Sequence, residues 1–269
     1  MTTELRESRR PTRVVLILDR PVLAAVIALA LTHGRYATHV AQTVDAAIGA
    51  LGGWSPHLAV VDMDLVGDTM LERLRETLPR AARLPVIALT RRGDLATTLA
   101  AFEWGVDDVL VEPFAPEELV ARVLAVMRRA YGGAVAFTPV LRLGALEIDI
   151  LHRRVTAGGR ELHLTALEQS LLYLLAANAG RLLTRDAILD YLWGADHAAE
   201  SNVVDRHVRN LRTKLEDDWR RPRYIATVAG RGYRFLPTTA DALPPDEPSP
   251  PRSDIPRPIG PLTPSLVGP

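Results

Sequence analysis

The sequence predicts an open, doubly wound α/β domain on a five-stranded parallel sheet, followed by a smaller α+β domain that carries a cationic helix. Three observations carry the prediction. Residues 12–130 alternate short apolar runs with amphipathic stretches five times over, the pattern of βα repeats. Ser201 to Leu215 combines an apolar stripe with polar, arginine-bearing faces. Tyr224 to Phe235 reads as two β-rich segments joined through Gly230, Arg231 and Gly232, a hairpin signal.

In the first domain V-V-L-I-L (14–18), H-L-A-V-V (57–61), P-V-I-A-L (85–89) and D-V-L-V (108–111) read as buried parallel strands, with 37–40 a weaker one. Helical patterns fall between them at 21–33, 43–52, 68–78, 94–103 and 116–130. In such sheets chemistry collects at the carboxyl ends of the strands. Those ends present Asp19 and Arg20, then Asp62, Thr90, and Glu112 before Pro113. Singly, each has a structural reading, since an aspartate after a strand caps a turn and a threonine closes one.

Residues 131–139 are small, Gly-bearing and Pro-ended, a linker. V-L-R-L-G-A-L-E-I-D-I and R-R-V-T-A-G-G-R-E-L-H-L then predict short antiparallel strands with a turn at Gly158 and Gly159. On the cationic helix, Val204, Val208, Leu211 and Leu215 recur at i, i+4, i+7 and i+11, the stripe a helix buries. Ser201 is a suitable N-cap, and Asp205 suits the positive end of the helix dipole. Asn202, Arg206, Arg209, Asn210, Arg212, Thr213 and Lys214 supply cations for phosphates, and Asn and Arg can bond base edges bidentately. A solvated surface helix shares that composition. The hairpin that follows, with Arg231 at its tip, moves the reading to DNA.

The ends and the composition bound what else the chain does. Residues 1–11 are polar and lack the apolar core of a signal peptide, and no stretch is long and apolar enough to span a membrane. Residues 237–269 hold more than half of the 20 prolines and read as a disordered, solvated tail. The absence of cysteine excludes disulfides and thiolate metal sites and fits a reducing cytoplasm. Overall charge is balanced, 32 basic against 32 acidic residues, yet 131–236 carries a basic excess that the first 130 residues lack. No nucleotide-binding glycine motif, histidine cluster or nucleophile elbow is present, so the chain reads as a non-enzyme.

Taken jointly, L-A-V-V-D, V-I-A-L-T and G-V-D-D-V-L-V-E-P-F-A-P-E-E-L resemble a response-regulator receiver domain over 12–130. The resemblance implies that Asp62 is the candidate acceptor of a phosphoryl group from a histidine kinase. It also implies a Mg²⁺ site from carboxylates at positions 19 and 20, with Asp62 and a carbonyl at Asp64, and phosphoryl contacts from Thr90 and from a lysine at position 112. This chain keeps Asp19, Asp62 and Thr90 but has Arg20 for an acid and Glu112 for the lysine. The Mg²⁺ ligands left are Asp19, Asp62 and Asp64, and the reading is that no cofactor is required. Lys214 is the only lysine in an arginine-rich chain, so neutral drift at position 112 predicts arginine rather than glutamate. Charges have changed places rather than vanished, and Arg20 is expected to pair its fork with Asp62 or Glu112. Val109 stands where an aromatic switch residue belongs.

The second domain, 140–236, resembles the winged helix-turn-helix effector of the OmpR/PhoB class. L-T-A-L-E (164–168), G-R-L-L-T-R-D-A-I-L-D-Y-L-W-G (180–194), V-D-R-H-V-R-N-L-R-T-K-L and T-V-A-G-R-G-Y-R-F follow that class in order. The resemblance implies double-stranded DNA and RNA polymerase as partners. Asn210 then reads a base edge, and Asn202, Arg209, Arg212, Thr227 and Tyr233 meet the DNA backbone. Trp193 and His207 lie close to it, and Arg231 replaces a minor-groove arginine at Ala229. It further implies a homodimer through the face built by the receiver's last strand and its two flanking helices, with Asp107, Asp108, Glu118 and Arg122 as the charged residues and Thr98 where a basic partner belongs. The reading is a sequence-specific transcriptional regulator with a degenerate, phosphorylation-independent receiver. The alternatives are an ordinary switch phosphorylated on Asp62 and an adaptor that has lost DNA binding.

Overall fold

The computed structural model describes residues 12–32, 36–65, 84–132, 140–194 and 202–236. The expectations for 1–11, the helix at 68–78, most of the 131–139 linker, the Ser201 cap and the 237–269 tail lie outside the described residues.

Five parallel strands, β1 (Thr12–Ile17), β2 (Tyr36–Ala41), β3 (Leu58–Asp62), β4 (Val86–Thr90) and β5 (Asp108–Val111), form one sheet in the order β2-β1-β3-β4-β5. β3 and β4 are buried at every position, which is why their sequences run apolar without alternation. Strand bounds sit within about two residues of those the pattern predicts. Asp62 and Thr90 are the last residues of their strands rather than the first beyond them. Helices α1 (Pro21–Thr32), α2 (Val44–Trp54), α3 (Leu95–Glu103) and α4 (Pro116–Tyr131) cover the sheet. Asp94 caps α3 by accepting the Thr97 amide at 2.8 Å, and Pro116 opens α4 at a position that needs no amide.

The second domain begins with an antiparallel sheet of β6 (Val140–Leu143), β7 (Leu146–Asp149), β8 (Arg154–Ala157) and β9 (Arg160–Leu162). Gly158 and Gly159 make the β8-β9 turn at φ 57° and 80°, the left-handed pair a two-residue hairpin needs. Three helices follow, α5 (Ala166–Ala177), α6 (Arg185–Trp193) and α7 (Asn202–Leu215). Thr165 and Glu168 form a capping box on α5, and α7 buries Val204, Val208, Leu211 and Leu215 as the stripe predicts. β11 (Ile225–Val228) and β12 (Gly232–Phe235) form the wing, with β10 (Leu183–Thr184) pairing on β12. A Cβ on Gly232 would lie 2.0 Å from the Leu183 carbonyl oxygen, so this close pairing requires glycine.

The two domains share one apolar core. Leu23, Ile27 and Leu31 of α1 belong to the same buried cluster as Leu171 and Leu175 of α5. The sequence of α1 is apolar on every face, and the reason is now visible. A helix of that kind is covered on all sides, here by its own sheet and by the second domain. Asn178 Nδ2 donates to the Val22 carbonyl at 3.4 Å, Arg153 pairs with Glu117 at 3.2 Å, and Arg91 pairs with Asp190 at 3.7 Å. No helix among the described residues is long and apolar enough to cross a membrane.

Candidate functional sites

Parallel strands send their carboxyl ends to one edge, so Asp19, Arg20, Asp62, Thr90 and Glu112 come together there. Arg20 follows β1, Asp62 ends β3, and Glu112 follows β5. The Arg20 fork takes both carboxylates, more than the single pairing the sequence required. Its Nε and Nη2 donate to Asp62 Oδ2 at 3.1 and 2.8 Å, while Nη1 and Nη2 donate to the two oxygens of Glu112. The side chains of Arg20, Asp62 and Glu112 are 20, 4 and 12 % exposed. Burial works against the Arg20 charge, but the hydrogen bonds and charge of Glu112, then those of Asp62, outweigh it and hold the guanidinium above its ordinary value.

Two further acceptors of the pocket are engaged. Asp62 Oδ1 accepts the Asp64 amide at 3.0 Å, and Asp64 Oδ2 accepts the Arg91 amide at 3.3 Å. Asp19 is exposed. Among the described residues no three or more His, Cys, Asp and Glu side chains are grouped to hold a metal. Mg²⁺ is bound through one or two carboxylates and keeps several waters; here Asp62 Oδ2 is taken up by the Arg20 guanidinium. The pocket's cation is the Arg20 guanidinium. Val109 is buried, and no aromatic ring stands at that position.

On the second domain the cationic face of α7 is open. Asn202, Arg206, Arg209 and Asn210 are exposed, as are Thr227 and, at the hairpin tip, Arg231. Arg206, Arg209 and Arg231 have no carboxylate partner among the described residues, so their charge is available to phosphates. Trp193 is half-buried against the core, with its ring 5.7 Å from that of His207. Burial, then the nearby Arg206, lowers the His207 pKa and favours the neutral ring.

Three expected DNA contacts are placed otherwise. Lys214 Nζ donates to the Glu168 carboxylate and to the His163 carbonyl, a tie between α7 and the start of α5. Its long stem turns inward because Glu168, 4 % exposed at the side chain, needs a counter-charge. Tyr233 is 4 % exposed and donates its hydroxyl to Asp205 Oδ1 at 2.7 Å. Arg212 is half-buried and donates to the Ile225 carbonyl at 2.6 Å and Thr227 Oγ1 at 2.9 Å, bracing the wing. Arg185, not singled out in the sequence, joins Asp205 at 2.7 Å. No local signal marks it, since its partners lie 20 and 48 residues away.

On the proposed pairing face, Arg122 bonds Asp108 Oδ1 at 3.0 Å and Glu118 Oε1 at 2.8 Å within the same chain. Asp107 Oδ2 accepts the Val86 amide at 2.9 Å. Beside these charges, α3 exposes Leu95, Leu99 and Phe102 at i, i+4 and i+7, with Leu99 52 % exposed.

Comparison with known proteins matches residues 14–124 to the response regulator receiver domain and residues 159–235 to the C-terminal domain of transcriptional regulatory proteins. The chain is 34 % identical over 225 residues to the DNA-binding response regulator MtrA of Mycolicibacterium smegmatis, covering 84 % of this chain and 97 % of that protein. It is 33 % identical over 227 residues to the transcriptional regulatory protein KdpE of Mycobacterium tuberculosis, covering 83 % and 99 %. It is also 34 % identical over 222 residues to the response regulator ArlR of Staphylococcus haemolyticus, covering 82 % and 98 %.

Proposed function

The chain belongs to the OmpR/PhoB class of DNA-binding response regulators, and from that membership we propose that its receiver regulates DNA binding without phosphate. The observation that carries the proposal is the Arg20 fork, which spans Asp62 and Glu112. A phosphoryl group on Asp62 brings nearly two negative charges. Two like charges about 4 Å apart repel by roughly 4 kcal/mol at the effective dielectric of a protein surface, and position 112 holds a glutamate instead of a cation. Arg20 is already shared between two carboxylates. Transfer would also need an Asp62 oxygen free to attack phosphorus, whereas Oδ2 accepts from two guanidinium nitrogens.

The regulator reads double-stranded DNA with Asn210 at a base edge and with Asn202, Arg206, Arg209 and Thr227 on the backbone. Arg231 enters the minor groove from the wing tip. Trp193 and His207 mark a second edge against the backbone. The receiver pairs two copies through α3, β5 and α4, RNA polymerase is the partner at promoters, and the protein acts in the cytoplasm without catalysing a reaction. The second reading, a conventional kinase-driven switch, draws support from Asp62 and Thr90, which keep their places at the ends of β3 and β4. Affinity for a selected duplex, measured with and without acetyl phosphate and Mg²⁺, separates the two. Equal affinity, matched by Asp62→Ala, is the expected result. A tightening that Asp62→Ala abolishes selects the conventional switch.

A further inference from the structure

The seam between the domains is apolar and continuous. Leu23, Ile27 and Leu31 of α1 are at most 4 % exposed, and Leu171, Leu172 and Leu175 of α5, in the same cluster, are fully buried. Asn178, just past α5, is 1 % exposed, and its Nδ2 donates across the seam to the Val22 carbonyl. Gly194, at the end of α6, lies beside the receiver: a Cβ added there would stand 3.6 Å from Pro113 Cδ. Undocking the domains would return these apolar side chains to water, which opposes any rearrangement.

The docking leaves two surfaces bare. It takes α1, Glu117 at the start of α4, and the segments after β4 and β5 that carry Arg91 and Pro113. In the docked chain Leu95, Leu99 and Phe102 of α3 stay exposed, and so do Asn202, Arg206, Arg209 and Asn210 of α7 and Arg231 of the wing. Pairing and DNA reading therefore need no separation of the domains. The charges beside the α3 stripe, Asp108, Glu118 and Arg122, are satisfied within one chain. The patch is thus complementary to a second copy of itself rather than to an oppositely charged surface.

We infer that the dimer reads an inverted repeat, with the domains of each copy docked as they are in the free chain. The inference rests on the reading that two receivers pair through α3, β5 and α4. A patch that pairs with itself does so about a two-fold axis. The α1–α5 core holds α7 fixed relative to that patch, so the same axis relates the two copies of α7, and operator symmetry follows protein symmetry. The tandem half-sites are then read in opposite directions along the duplex. A direct repeat would require one effector to turn end for end on its receiver, which strips Ile27 and Leu171 of their cover.

The test uses full-length protein and duplexes that carry two copies of one selected half-site, in inverted or in direct orientation, over a series of spacings. Wild type is expected to bind an inverted repeat of one spacing about tenfold or more tightly than a single half-site, the scale of a coupling between sites. No direct repeat binds better than a single half-site, and Leu99→Asp loses the gain while keeping the single-site affinity. The chain has no cysteine, so spin labels on Ala46→Cys of the receiver and Glu161→Cys of the effector, both exposed positions, report the domain arrangement. One narrow label distance, equal with and without the duplex, is the expected result. Cooperative binding to a direct repeat, or a label distance that shifts or broadens on DNA, overturns the inference. If the distance stays fixed while every repeat binds as a single half-site, the docking holds and the pairing reading fails, and the inverted repeat falls with it.

Discussion

The Tyr233 hydroxyl donates to Asp205 Oδ1 at 2.7 Å, fastening the second strand of the wing to the first turn of α7. Arg185 completes the joint from α6, bonding the same oxygen at 2.7 Å and lying 5.2 Å from the Tyr233 ring centre, with Arg212 5.7 Å from it. Tyr233→Phe keeps the ring and removes the bond. Asp205 is 48 % exposed at its side chain, so the loss falls below that of a buried bond to a charged acceptor, at about 1 kcal/mol. Urea denaturation reads it. A variant as stable as wild type would show that the joint adds nothing to the fold.

Base reading and backbone binding are expected to separate at adjacent positions on α7. Asn210→Ala is expected to relax preference at one base pair and to lose about 1 to 3 kcal/mol on the preferred sequence. Arg209→Ala weakens selected and random DNA alike and flattens the salt dependence by about 0.9 in slope. Selection from a random library checks both. An unchanged motif with Asn210→Ala places base reading elsewhere on the helix.

Lys214 and Glu168 make a prediction about pH. Burial raises the Glu168 pKa, but the bonds from Lys214 and the Thr165 amide more than reverse it and hold the carboxyl below its ordinary value of 4.5. A depressed carboxyl contributes stability that is complete above the unfolded pKa and disappears as pH falls through the folded one. The stability gap between wild type and Lys214→Met should therefore be full at pH 7 and narrow as pH falls below 4.5. DNA affinity of the folded variant should stay unchanged, because the ammonium faces Glu168. A constant gap, or a tenfold loss of DNA affinity, would contradict this placement.

The pairing face makes a prediction about assembly. Its charges satisfy each other within one chain, which leaves Leu95, Leu99 and Phe102 of α3 as the uncovered surface. Burying one leucine contributes about 1.5 to 3 kcal/mol, more than an exposed ion pair supplies. Leu99→Asp should abolish a receiver dimer in sedimentation velocity and remove cooperative binding to tandem half-sites, with Arg122→Glu having a smaller effect. The reverse ranking would return the interface to its ion pairs.

Much of this was legible in the sequence because it is written in short-range periodicity. The βα alternation located the five strands of the parallel sheet, and the stripe from Val204 to Leu215 named the buried face of α7. A pairing of Arg20 with Asp62 or Glu112 followed from two charge reversals, but not that one fork would take both. What the sequence did not show is how long side chains choose among distant partners. Lys214, Arg212 and Tyr233 sit on or beside the expected DNA face by position, yet each turns toward Glu168, Thr227 or Asp205, groups 15 to 46 residues away. The docking of α1 on α5 was hidden for the same reason. An all-apolar helix announces that it is covered, but not by what.

If Arg20 and Glu112 close the phosphorylation chemistry of Asp62, a small phosphoryl donor leaves the wild-type protein unmodified. Intact mass after incubation with acetyl phosphate and Mg²⁺ tests it most directly. Wild-type protein is expected to keep its mass, while Arg20→Asp combined with Glu112→Lys, which restores the carboxylate and the lysine, gains one phosphoryl group on Asp62. A stoichiometric gain in the wild type, absent in Asp62→Ala, would contradict the account and make this receiver an ordinary phosphorylated switch.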